Sequence, residues 1–309
     1  MDIELHNKYV ICVQEEGNLT RAAKKIGISQ PALSIAIGNL EKKLGYKIFD
    51  KSTTPFKLTE EGKIYLEYLH KHQLAIKDYQ QKITEFHDDS VGNVIIGAPV
   101  VYVESIVTKA IATLREKYPK YQITIKNAPV PELITMTKNG EADCFISTIG
   151  DLPETFEKDL IKEEKIYMCI PKEWEINEKL KNYQTNPGKT NSCFDYSLLQ
   201  NMEFIFLEED QPLQKEMRSF LAQNNITVQN HIVVNQVSSG VAMTALGAGI
   251  SFAQEEMLKD SRYLKDICIY ALPETIFDRK IYVTYDTKRF LSRACRNLID
   301  VLKNKEKEV

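Results

Sequence analysis

Asn18-Leu19-Thr20-Arg21-Ala22-Ala23-Lys24-Lys25-Ile26-Gly27-Ile28-Ser29-Gln30-Pro31-Ala32-Leu33-Ser34-Ile35-Ala36-Ile37-Gly38-Asn39-Leu40-Glu41-Lys42-Lys43-Leu44-Gly45 is the stretch whose reading decides the fold. Thr20 is placed to cap a helix opening at Arg21. Ala22, Ala23 and Ile26 are small or apolar at helical spacing, and Gly27 stands where that helix must stop. Ser29 is placed to cap the next helix, with Pro31 in its first turn, where a missing N–H costs little. Leu33, Ala36, Ile37, Leu40 and Leu44 recur at steps of three and four and form its buried stripe. The opposite face offers Gln30, Pro31, Ser34, Ile35 and Gly38. Two helices joined by a tight turn make a helix-turn-helix, whose second helix can enter a DNA major groove. Gln can pair with adenine in a bidentate way, and Ser can meet several base edges or a phosphate. An ordinary helical hairpin in a globular core is the competing interpretation.

Downstream, Lys47-Ile48-Phe49-Asp50-Lys51 and Phe56-Lys57-Leu58 read as short strands around a Ser52-Thr53-Thr54-Pro55 turn, a hairpin wing. Between Thr20 and Lys57 the basic residues Arg21, Lys24, Lys25, Lys42, Lys43, Lys47, Lys51 and Lys57 face only Glu41 and Asp50. The whole chain carries a formal net charge of −3, so the patch is local. It reads as an electrostatic footprint for phosphate or as a solvated lysine surface. Thr20, Arg21, Gln30, Pro31, Ser34, Ile35, Gly38, Lys42, Lys51 and Thr53 are the expected DNA contacts.

The run Glu16-Gly17-Asn18-Leu19-Thr20-Arg21-Ala22-Ala23, followed by Ser29-Gln30-Pro31-Ala32-Leu33-Ser34, Leu40-Glu41-Lys42-Lys43-Leu44-Gly45, Ile48-Phe49 and Leu58-Thr59-Glu60-Glu61-Gly62, resembles the N-terminal domain of LysR-type transcriptional regulators. The resemblance implies a winged helix-turn-helix, a linker helix that dimerises it, and an effector-binding domain of periplasmic-binding-protein type. The partners it implies are a double-stranded DNA operator, a small-molecule effector, further copies of the chain as a dimer or dimer of dimers, and RNA polymerase. Two positions depart from the common pattern. Ile35 stands where many members carry a basic or long polar residue, and Gly38 where Arg is frequent. Ile35 can instead touch a thymine methyl.

With 309 residues the chain is long enough for two or three domains. Its N-terminus lacks the apolar core of a signal peptide, and no apolar run approaches a membrane span, so a cytoplasmic protein without membrane partners is expected. Cys12, Cys144, Cys169, Cys193, Cys268 and Cys295 are scattered, which argues against a disulfide framework or a metal site. Phosphate-loop, zinc-protease and nucleophile-elbow motifs are absent, so no catalytic residue, cofactor or metal is expected.

From Thr59 to about His87, Tyr65, Leu69, His72, Ile76, Tyr79, Ile83 and Phe86 alternate in steps of four and three, a heptad seam that suits a partner helix. A helix lying on its own domain would give a similar pattern. Beyond it, strand-like and helix-like segments alternate. The expected fold is α/β: an all-α winged helix-turn-helix (1–58), a linker helix (59–89), and a two-lobed effector domain (90–309) with mainly parallel sheets. Lobe I is expected at about 90–163 and 268–309, lobe II at about 164–267. Ligands of such sheets bind at the carboxyl ends of the strands. The crevice is therefore expected to be lined by Pro99, Val100, Val101, Ala128, Pro129, Ser147 and Thr148 from one lobe, and Glu208, Gln236, Val237 and Ser238 from the other. Hydroxyls and helix N-termini suit a small polar or anionic metabolite, although Glu208 and Asp210 favour a ligand that also carries an amine. The reading that emerges is a sequence-specific regulator whose DNA-bound state an effector modulates. The alternative is a solute-binding protein or enzyme whose N-terminal hairpin is only an interaction module.

Overall fold

The computed structural model describes residues 3–53, 55–88, 90–148, 150, 152–189, 194–209, 211–259, 261–272 and 279–304. Cys193 and Asp210 lie outside them. The chain divides into two compact units, 1–87 and 88–309.

The first unit contains α1 (Ile3–Glu16), α2 (Leu19–Ile26), α3 (Gln30–Leu44), β1 (Phe49–Asp50), β2 (Lys57–Leu58) and α4 (Glu60–His87). Its core gathers Val10, Val13, Ala22, Leu33, Ile37, Ile48 and Leu69. The turn between α2 and α3 forms as expected. Gly27 takes φ +83°, and the Ser29 hydroxyl accepts from the Ala32 N–H at 3.3 Å. The cap of α2 differs from expectation: Asn18, not Thr20, fills it, its Oδ1 accepting from Thr20 N at 2.7 Å and Arg21 N at 3.2 Å. Asn is as strong a cap as Thr, and starting the helix at Leu19 lets that side chain enter the core. The wing pairs Phe49 with Leu58 and Asp50 with Lys57, antiparallel.

The linker helix α4 splits its seam between two uses. Leu69 is fully buried and Tyr65 half-buried in the unit's own core, whereas Tyr79, Ile83 and Phe86 are 64, 42 and 84% exposed. Leu69 is therefore corrected from a pairing residue to a core residue, since a sealed side chain has no area left for a partner.

The second unit begins with lobe I: β3 (Asn93–Ala98), α5 (Val100–Tyr102), a π-helical turn (Val103–Val107), α6 (Thr108–Lys117), β4 (Gln122–Asn127), α7 (Val130–Lys138), β5 (Cys144–Ser147) and β6 (Phe156–Glu164). Lobe II follows with β7 (Ile166–Pro171), α8 (Ile176–Lys179), β8 (Phe204–Leu207), α9 (Pro212–Gln223), β9 (His231–Val234), α10 (Val237–Ala245), β10 (Ser251–Gln254), α11 (Glu255–Lys259) and β11 (Ile267–Ala271). The chain then returns to lobe I through β12 (Arg279–Asp286) and α12 (Arg293–Asn304).

Lobe I is one sheet in the order β4-β3-β5-β12-β6, parallel through its strand–helix–strand part and antiparallel where β12 joins β5 and β6. Lobe II has an antiparallel β10-β7-β11 sheet and a parallel β8-β9 pair, joined through a bridge from Phe204 to Ile250. The sheets are thus mixed, with parallel pairing confined to strand–helix–strand units. One boundary moves from expectation, and one strand is added. β11 pairs with β7, so 268–272 belong to lobe II and the return to lobe I comes with β12. β6 is a nine-residue edge strand that its charged sequence concealed. Among the described residues no helix is long and apolar enough to cross a membrane.

Candidate DNA interface and effector site

Helix α3 exposes Gln30, Pro31 and Ile35, the last at 64%, with Ser34 half-buried beside them. A Cβ built on Gly38 meets nothing within 4 Å, so this turn of α3 offers bare backbone to whatever lies against it. Thr20 is exposed, and Arg21 is tethered, its Nη2 donating to the Glu16 carbonyl at 2.7 Å. Lys42 is exposed. On the wing, Thr53 donates its hydroxyl to the Pro55 carbonyl at 3.1 Å.

The basic patch carries less free charge than its residue count implies. Lys25 is held by Glu15 and Glu16, both at 2.9 Å, and these carboxylates keep its ammonium protonated well above the ordinary lysine range. Glu41, whose side chain is 1% exposed, lies inside the unit. One of its oxygens accepts from the backbone N–H of Ile48 at 2.9 Å and of Phe49 at 3.3 Å; the other meets Lys47 at 3.3 Å and Lys51 at 3.9 Å. Glu41 thus ties the first wing strand to the recognition helix. Its position four residues after Ile37, on the apolar stripe, was the signal: a lone charge on a buried face needs partners. Gly62 completes the joint. A Cβ there would sit 2.1 Å from the Ile48 carbonyl oxygen, so only glycine lets α4 approach the wing so closely.

In the second unit the expected effector residues separate. Val100, Pro129, Glu208, Gln236 and Ser238 are exposed; Pro99, Val101, Thr148 and Val237 are half-buried. Val100 and Val101 lie not in a loop but in the first helical turn, with Pro99 as cap. Gln236 occupies the cap position of α10 without a side-chain hydrogen bond to that helix. Ala128 is buried, and Ser147 is sealed, its hydroxyl bonded to Thr284 Oγ1 at 3.1 Å across the β5–β12 pair. Ser147 is corrected to a sheet residue: being the last residue of the strand, it turns inward with the pleat.

The expected crevice contained no basic side chain, yet the structure brings one to it. Arg279, the first residue of β12 and only 7% exposed, places its guanidinium at the strand ends of lobe I. Its Nε donates to Glu164 Oε2 at 3.0 Å and its Nη1 to both Glu216 oxygens at 2.8 and 3.0 Å. Its Nη2 lies 3.3 Å from Thr148 Oγ1 and 3.5 Å from the Tyr102 hydroxyl, which itself donates to Glu164 Oε2 at 2.7 Å. Burial pushes the Glu164 carboxyl above its ordinary range, with Arg279 and the Tyr102 hydroxyl opposing the shift. Burial likewise drives the Tyr102 phenol well up. Tyr102, Glu164, Glu216 and Arg279 escaped the sequence reading because their positions, spread from 102 to 279, meet only through the return of β12.

Residues 6–63 match the family model described as bacterial regulatory helix-turn-helix protein, lysR family, and residues 87–307 match the LysR substrate binding domain. A "Probable RuBisCO transcriptional regulator" of Phaeodactylum tricornutum is 22% identical over 304 residues, covering 96% of this chain and 95% of that protein. A protein of the same description from Cyanidium caldarium is 24% identical over 301 residues, covering 94% and 90%. Among solved structures, full-length CbnR complexed with its target DNA aligns with a TM-score of 0.66 at 17% identity, over 98% of this chain and 99% of that one. Full-length BenM aligns at 0.58 and 18%, over 99% and 97%.

Proposed function

This chain belongs to the LysR family of transcriptional regulators, with an N-terminal DNA-binding helix-turn-helix and a C-terminal effector-binding domain, and from that premise we propose how its own residues divide the work. Gln30 and Ser34 read bases, Ile35 contacts a thymine methyl, and bare Gly38 lets α3 sit deep in the groove. Thr20, Arg21, Lys42, Lys51 and Thr53 meet the phosphates. The observation that carries this reading is the exposed Gln30–Gly38 face of α3 beside a wing that Glu41 locks to the same helix.

Two copies pair through the later part of the α4 seam, half-buried His72 and Ile76 with exposed Tyr79, Ile83 and Phe86, and so present two recognition helices to an operator with two half-sites. A dimer of dimers and contact with RNA polymerase on the DNA extend the same reading, as does a cytoplasmic location. A small polar or anionic metabolite, held near Pro99, Thr148, Gln236 and Ser238, shifts the population of the DNA-bound state.

Fluorescence anisotropy with duplex from the chain's own upstream region tests the DNA half. Specific binding that Gln30→Ala weakens, while binding to scrambled duplex stays nearly unchanged, is the expected result. Equal losses on both duplexes would remove Gln30 from base reading.

A further inference from the structure

Ion pairs from Arg279 and Lys162 tie lobe I to lobe II, and both leave the β12–β6 side of the lobe I sheet. Arg279 faces Glu164 in the β12–β6 ladder, and Lys162, opposite Ile281, lies two residues along on the same face. Lys162 pairs with Glu256 on α11, a buried contact that Lys259 joins at 3.1 Å. Arg279 pairs with Glu216 on α9, whose Leu213, Met217 and Phe220 are packed in the core of lobe II. The carboxylates facing Arg279 are unequal. Glu164 belongs to lobe I and its side chain is 0% exposed, so it stays beside the guanidinium as part of the same sheet. Glu216 comes from the other lobe and its side chain is 29% exposed.

We propose that the Arg279–Glu216 pair is a latch between the lobes, and that a carboxylate-bearing effector opens it by taking the place of Glu216 on the guanidinium. The inference rests on the reading that an effector binds between the lobes, and it names the effector's chemistry and its mode of action. Breaking a buried ion pair outright leaves a bare charge and is strongly unfavourable. Exchanging one carboxylate for another conserves charge, and Glu216, already part-exposed, has water to move into. Thr148 Oγ1, 3.3 Å from Nη2, stands ready as a further hydrogen-bonding partner. An amine would have to approach a guanidinium, and the two cations repel. In the Lys162–Glu256 pair the carboxylate from lobe II is more deeply buried than Glu216, and the pair stays closed, so it becomes the pivot about which the lobes part.

The test is inter-lobe distance in the full-length chain, by single-molecule energy transfer between dyes at Lys126 on β4 and Leu246 at the end of α10, attached through encoded non-cysteine handles. Both positions are exposed. Glu216→Gln, nearly isosteric and uncharged, should shift and broaden the distance distribution relative to wild type. Glu216→Ala should do the same; acetate added to the wild type should move its distribution in that direction, whereas sodium chloride at equal ionic strength should not, and acetate should not return Glu216→Ala to the wild-type distribution. Glu209→Gln, which removes a pair with Arg218 inside lobe II, should leave the distribution unchanged. Unchanged distances in both Glu216 variants would overturn the latch, and a response to chloride equal to that of acetate would overturn the carboxylate class. These distances are read without DNA, so a wild-type chain that failed to bind its upstream duplex would count against the proposed function alone.

Discussion

Glu41 is the residue on which the wing depends. It is a buried carboxylate within a basic patch, and the backbone N–H groups of Ile48 and Phe49 have it as acceptor. Glu41→Ala strands those donors in a buried place, and should lower the stability of the N-terminal unit by about 1–3 kcal/mol in chemical denaturation. The same residue explains why two wing lysines are not equivalent to Lys42 on the recognition helix. Lys42→Ala should lower the salt slope of DNA binding by about one unit, and Lys51→Ala by less, because Glu41 already takes part of the Lys51 charge. Salt titrations of binding would separate the two. At this scale the sequence was readable where chemistry is local: Ser29 and Gly27 do what their types and positions imply. It was unreadable where two candidates compete for one role, as Asn18 and Thr20 do at the start of α2, or where a charge such as Glu41 finds partners only after folding.

Helix α4 is the element whose pattern served two masters. Its heptad steps are legible, but a periodic stripe does not say whose core it enters. The first turns join the core of their own unit through Tyr65 and Leu69, and only the later ones remain exposed. Charged residues at both Ile76 and Ile83 should therefore dissociate the dimer in sedimentation while leaving the fold of the N-terminal unit intact; a dimer that survived would place the interface elsewhere. Gly62→Ala, by contrast, should act within one chain. The added methyl collides with the Ile48 carbonyl, and the overpacking should cost about 1–3 kcal/mol, read as a lower denaturation midpoint. Strand β6 shows the opposite failure of pattern. Phe156-Glu157-Lys158-Asp159-Leu160-Ile161-Lys162-Glu163-Glu164 has too many charges to announce a strand, yet an edge strand tolerates charge, and here Asp159, Lys162 and Glu164 reach across to other elements.

At the scale of the whole chain, the order of domains could be read from the sequence because the N-terminal motif is local and the rest alternates strand with helix. The grouping of Arg279 with Glu164 and Glu216 could not, because it depends on where the chain crosses between lobes. The crossing also reassigns the candidate serines. Ser238→Ala should weaken effector binding in calorimetry while effector-free DNA affinity holds. Ser147→Ala should instead cost stability, since it breaks the buried bond to Thr284, and should leave the effector isotherm unchanged. The described cysteines have a consequence of their own. Cys12 sits in the core of the first unit, Cys144 and Cys295 in lobe I, Cys169 and Cys268 in lobe II, all buried. Burial pushes the thiols of Cys12, Cys169 and Cys268 up, away from the reactive thiolate. Each body therefore carries its own silent clock: an alkylating reagent followed by peptide mass analysis would time the opening of the DNA-binding unit and of each lobe separately, in one tube, without any engineered label.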